Sequence, residues 1–174
     1  SEGEDPADTE GNQALRDIIQ YSQDQGRLFV AAAGNGHQGV GYDNDHDARP
    51  AYPASYQHDI IISVAAIDIK DRLGRFSNWG QKSVDIAAPG VRIFSTTVGS
   101  QYADTLLMGL ASWDGTSMAA PHVAGAAALY LSKHPQANWQ EVKQAVISSA
   151  AKLPNLSSKL ASGGKLDVKA LLQQ

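Results

Sequence analysis

A chain of 174 residues with 43% hydrophobic and 18% charged side chains is long enough to bury one core and too apolar to be disordered. Its formal net charge of −4, with lysines and arginines scattered along the chain, excludes the basic footprint of a nucleic-acid binder. There is no cysteine, which excludes disulfides, thiolate metal sites and a cysteine nucleophile, and the longest apolar run, Val123 to Leu131, is too short to span a bilayer.

The chain opens at Ser1 with no basic-then-apolar leader, and its methionines are Met108 and Met118, so it reads as processed, excised or trimmed. Residues 1–12 are acidic and poor in apolar side chains, which suits a loop or tail. From Asn12 to Gln25, the residues Ala14, Leu15, Ile18, Ile19 and Tyr21 recur at the spacing of one helix face, and Gly26 stops the helix. Leu28 to Ala33 is an unbroken apolar run suited to a strand buried on both faces, ended by Gly34-Asn35-Gly36. A long polar loop to Ser55 leads to a second buried strand at Ile60 to Ala66, with shorter strands expected near Val84–Ala87 and Val91–Ser95. Ser117 to Lys133 is rich in alanine and almost wholly apolar, which predicts a helix buried in the middle of the domain. Pro121 falls early in it, where a missing donor does least harm, and Gly125 permits close backbone approach. Asn138 and Glu141 form a capping-box start for a helix running to about Lys152, and a short helix over 167–172 ends the chain. The alternation gives an α/β domain with a mainly parallel sheet flanked by helices.

Chemistry concentrates at two places. Ser117, in Gly115-Thr116-Ser117-Met118-Ala119, lies where a turn feeds an apolar helix. A helix start offers unpaired N–H groups and partial positive charge, which favour a polarised carbonyl or an oxyanion, so a serine there suits a nucleophile. The same serine could instead be an ordinary N-cap. Asn35 follows the carboxyl end of a buried strand, where open α/β sheets place their sites, and its amide can donate toward a neighbouring group. It could equally be a turn residue that tolerates left-handed backbone angles.

Together these segments resemble the subtilisin-like serine peptidases, the subtilase family. Ala31-Ala32-Ala33-Gly34-Asn35 is similar to the family's oxyanion segment and Gly115 to Gly125 to its nucleophile segment. Tyr52-Pro-Ala-Ser55, Phe76-Ser-Asn-Trp-Gly80 and Val84-Asp-Ile-Ala-Ala-Pro-Gly90 also follow the family pattern, and the resemblance runs from about Ala14 to Leu172. It implies a partial subtilisin-like fold whose central helix starts at the nucleophile, Ser117. It further implies Asn35 as the oxyanion donor, and Ala31, Ala32, Ala33, Gly34 and Thr116 against a protein or peptide substrate. A secreted enzyme needing no cofactor for its chemistry follows, with a structural calcium as the one ion suggested. In some relatives the carboxylate at the position of Asp85 joins loop carbonyls around that ion, although the loop over 57–60 is longer here. Asp43 to Asp47 fails the pattern of a calcium-binding loop, with Ala48 and Ala54 where glycine and glutamate belong, and reads as a solvated acidic loop.

The family's aspartate and histidine segments precede the oxyanion asparagine, and no histidine occurs before Asn35. His37 is the nearest substitute in sequence, while the step from Ser117 to His122 turns a helix by about 140°, away from the serine. The chain therefore reads as the carboxyl-terminal portion of one catalytic domain, inactive alone and completed by an amino-terminal half. It would be one product of a nick, a trimmed fragment or a degenerate relative. The alternative function is a peptide-binding or structural domain that kept the fold and lost the reaction. Asp114 departs from the family's usual serine before Gly115, either adding negative potential or facing solvent.

Overall fold

The computed structural model describes residues 9–96 and 113–174. Helix α1 (Thr9–Asp24) starts earlier than its apolar spacing predicts, so the acidic opening contributes its last residues to a helix. Strand β1 (Phe29–Ala32) pairs in parallel with β2 (Ile61–Ile67), and β2 with β3 (Ile86–Pro89). Every residue of β2 is buried, as an apolar run lying between two covered faces must be. The segment expected as a strand at Val91–Ser95 makes one antiparallel bridge, Ile93 to Trp113, and no strand.

Helix α2 (Thr116–Lys133) packs on the sheet, α3 (Trp139–Ser148) packs on α2, and α4 (Val168–Leu171) closes the chain. The capping box of α3 is present: Asn138 accepts from Glu141 N–H at 3.0 Å and Glu141 accepts from Asn138 N–H at 2.7 Å. The helix ends at Ser148 rather than near Lys152. Ala151 and Lys152 instead form β4, antiparallel to β5 (Gly164–Lys165). The sheet order is β1-β2-β3-β5-β4. The two short strands carry no alternation that a sequence could show; they exist because Gly164 lets the chains meet, a Cβ there running into the Ala151 carbonyl oxygen.

Alternation along the strands divides the core. Ile62, Val64 and Ala66 of β2 meet Ala119, Val123 and Ala126 of α2 on one face. On the other, Ile19 of α1 packs with Ala31, Ala54 and Ile60, while Ala33, Ala65 and Ile67 meet Leu156 and Leu160. Helix α2 is buried along Thr116, Ala119, Val123, Ala126 and Ala127 only. Pro121, His122, Ala124, Gly125, Ala128 and Leu129 are exposed, and a Cβ added at Gly125 would meet nothing within 4 Å. Burial all round, which the apolar sequence predicts, thus holds for one face of the helix. Pro121 lies in the second helical turn, where its missing N–H leaves the Ser117 carbonyl without its helical donor.

Candidate active site

The site forms where β1 ends and α2 begins. Gly34 adopts φ +109°, and a Cβ there would lie 2.6 Å from Asn78 Nδ2 and 2.7 Å from Ala51 Cβ, so only glycine fits the turn. Beneath it lies a buried amide network. Asn44 Nδ2 donates to the Ala33 carbonyl at 2.9 Å, Asn78 Nδ2 donates to Asn44 Oδ1 at 3.0 Å, and Asn78 N–H donates to the Gly34 carbonyl at 2.9 Å. Asn44 and Asn78 are 4% and 1% exposed, and their paired amides fix the path of the chain into Asn35. Asn44 is hidden in sequence among the acidic residues of its loop, and Asn78 within Ser77-Asn78-Trp79, so neither stood out as a support of the site.

Asn35 is half-buried and its carboxamide is oriented by Thr116. Its Oδ1 accepts from Thr116 N–H at 2.9 Å and from the Thr116 hydroxyl at 2.9 Å, and Thr116 Oγ1 in turn accepts from Gly34 N–H at 3.2 Å. With the carbonyl oxygen held by two donors, the amide nitrogen faces the other way. Asn35 Nδ2 and Ser117 N lie 3.7 and 3.6 Å from the position of a Cβ built on Gly115, with Met118 Sδ nearer at 3.2 Å, so the carboxamide and the Ser117 N–H are neighbours at the helix start.

Gly115, in extended backbone, is the N-cap of α2, with no side-chain cap, so Ser117 stands inside the first turn rather than capping it. Among the described residues, neither the N–H nor the hydroxyl of Ser117 has a hydrogen-bond partner, and the side chain is exposed. A helix start with an unpaired N–H, an exposed hydroxyl and an outward amide beside it is an anion-favouring corner next to a potential nucleophile. The turn is braced by Gly115 N–H donating to the Gly90 carbonyl at 2.8 Å. Asp114, at the family's serine position, accepts from Arg92 N–H at 2.6 Å and so ties the next loop to this turn.

The remaining residues singled out by sequence divide. Ala31 and Ala33 point into the core away from α2, 4% and 0% exposed, whereas Ala32 shares the α2 side of β1 with Val30. Any wall they give a substrate is backbone at Ala31 and Ala33, with a methyl from Ala32 alone. Each histidine is engaged elsewhere. His37 stacks on Tyr42 with ring centroids 4.4 Å apart, and His122 Nδ1 is 2.8 Å from the Met118 carbonyl oxygen. His46 meets Asp43 at 2.8 Å, His134 stacks on Tyr130, and His58 meets Tyr56 edge-on. None hydrogen-bonds Ser117 among the described residues. Asp85 lies just before β3, level with Ser63 of β2, and its carboxylate is engaged by Ser63 N–H and Lys143 rather than by Asn35 or Ser117. Among the described residues no helix is long and apolar enough to cross a membrane, and no three or more histidine or acidic side chains group as a metal site.

A mainly parallel sheet that presents a serine at a helix start beside a strand-end carboxamide is an architecture of α/β hydrolytic enzymes, and known proteins narrow it. A profile described as the subtilase family of peptidases matches residues 1–164. A thermophilic serine proteinase of Bacillus sp. strain AK1 is 40% identical over 139 residues, covering 80% of this chain and 29% of that protein. Thermitase of Thermoactinomyces vulgaris is 37% identical over 155 residues, covering 89% of this chain and 48% of that protein. The self-cleaved protease domain of PatA superposes with a TM-score of 0.70 at 30% identity, over 91% of this chain and 54% of that one. A structure of subtilase cytotoxin SubAB assembly shares the fold, with a TM-score of 0.77 at 24% identity, over 99% of this chain and 55% of that one. The chain belongs to the subtilase family. It spans less than half the length of the two curated relatives.

Proposed function

We propose that this chain carries the nucleophile, Ser117, and the oxyanion donor, Asn35, of a serine-type endopeptidase acting on protein or peptide chains outside the cell. The catalytic histidine and aspartate come from an amino-terminal half of the same domain. Ser117 Oγ attacks the scissile carbonyl while the partner histidine takes the hydroxyl proton. The negative charge that develops on the carbonyl oxygen is met by Asn35 Nδ2 and the Ser117 N–H. Expulsion of the amine, reprotonated by the histidine, leaves an acyl ester on Ser117, which water hydrolyses by the reverse sequence. No cofactor enters these steps.

The observation that carries the reading is the placement of the Asn35 carboxamide beside the Ser117 N–H at the start of α2, both nitrogens lying within 3.7 Å of the Cβ position of Gly115, with the carboxamide oxygen held by Thr116. Two features support the missing half. Among the described residues nothing pairs with the outer edge of β1, and the apolar outer face of α2, with Leu129 50% exposed, has no cover. A bare parallel-sheet edge and an apolar helix face both call for neighbours. The test is labelling by a fluorophosphonate. Ser117 should react when the amino-terminal half is present and scarcely react without it, and Ser117→Ala should abolish labelling. Equal, rapid labelling of the isolated chain would place a base within these residues. No labelling after complementation would assign the chain to a non-catalytic, peptide-binding relative.

A further inference from the structure

Lys143 reaches from the middle of α3 to the start of β2. Its ammonium donates to the carbonyl oxygens of Ile61 at 2.6 Å and Asp59 at 2.9 Å, and lies 3.7 Å from Asp85 Oδ1. The other carboxylate oxygen of Asp85 accepts from Ser63 N–H at 2.7 Å, and Asp85 N–H returns a bond to the Ser63 carbonyl at 2.9 Å. Around them is a polar recess of about 140 Å³ rimmed also by Gln57, Lys82 and Ser83. Two peptide carbonyls and a carboxylate oxygen converging on one point make the oxygen set of a hard-cation site.

Calcium does not fit there, because the point is filled by a fixed positive charge of the chain itself. An entering ion would have to displace the ammonium from both carbonyls and then lie beside it. Burial pushes the Asp85 carboxyl above its ordinary value, with Lys143 and the Ser63 N–H pulling the other way, so this carboxylate depends on a cation close by. We propose that Lys143 is the resident cation of this site, tying α3 to the starts of β2 and β3. The cage would then accept a mobile hard cation only when that ammonium is removed. Nothing in this depends on the peptidase reading, since none of these residues touches Ser117 or Asn35.

The test compares the full chain with its Lys143→Ala variant, which opens the recess at a helix position alanine favours. Melting is followed in chelator with choline chloride, and after adding sodium, potassium or calcium. The variant's Tm should rise by roughly 5–10 °C once a favoured ion exceeds its dissociation constant a hundredfold, beyond any rise in the unaltered chain. Comparing the three ions tells a monovalent site from a divalent one. Equal cation responses in variant and parent would overturn the proposal. Should the variant not fold, the unaltered chain supplies the second measurement. Lys143 should acylate more slowly than exposed Lys70, at a rate unchanged by saturating calcium; acceleration by calcium would mean the ion displaces the ammonium, and the proposal fails.

Discussion

Replacing Thr116 by valine removes one hydroxyl while keeping the β-branched shape. That hydroxyl is one of two donors to Asn35 Oδ1, at 2.9 Å, and the acceptor for Gly34 N–H at 3.2 Å. Thr116 is 0% exposed, so water cannot replace it, and an orphaned Gly34 N–H costs about 1–3 kcal/mol of stability. Asn35 keeps the bond from Thr116 N–H, so its amide loses part of its orientation rather than all of it. One neutral hydrogen bond, about 1–1.5 kcal/mol, corresponds to a fall of roughly 5–10-fold in kcat. This is well short of the 10²–10³ on the order of which removal of the donor itself costs, a magnitude known from subtilisin. The assay is steady-state hydrolysis of a peptide substrate by the completed domain, with kcat and KM separated. The loss should fall on kcat, because the bond acts on charge that exists only in the transition state. Thr116→Ser should restore most of it. A valine variant with unchanged kcat, or a serine variant as impaired as the valine one, would show that Thr116 does not orient the amide.

Two further outcomes follow from the same geometry. Gly34→Ala forces a Cβ to within 2.6 Å of Asn78 Nδ2 at a left-handed φ, and should cost about 2–5 kcal/mol in denaturant unfolding; a loss under about 1 kcal/mol would mean the turn can relax. Burial pushes the Asp45 carboxyl up, but hydrogen bonds from Ser83 and from Lys82 N–H outweigh it and hold the group below its ordinary value. Its folded value being depressed, its stabilisation is present above about pH 4 and is lost as the pH falls through the folded value. Asp45→Asn should therefore flatten the acid limb of a Tm–pH profile, and an unchanged limb would refute the assignment.

Local pattern carried much of this molecule. The apolar run from Leu28 announces a strand, which among the described residues lies half-buried at the sheet edge rather than covered on both faces. The fully buried stretch at Ile61–Ile67 announces an inner one, because a strand covered on both faces needs no polar alternation. Asn138 and Glu141 fix the start of α3 through bonds that span one helical turn. The ordered segments around Asn35 and Ser117 identify the family by resemblance, and with it the two side chains on which the proposed reaction rests.

What the tertiary structure decided involves partners distant along the chain. The burial of α2 on one face only depends on what packs against it, and composition cannot distinguish a covered alanine face from one awaiting cover. The strands β4 and β5 exist through close approach at Gly164, not through propensity. The orientation of the Asn35 amide by Thr116, the support of its turn by Asn44 and Asn78, and the reach of Lys143 to Ile61 join residues between 11 and 82 positions apart. Hydrogen bonds of that kind follow from folding of the whole sheet, so no local spacing encodes them.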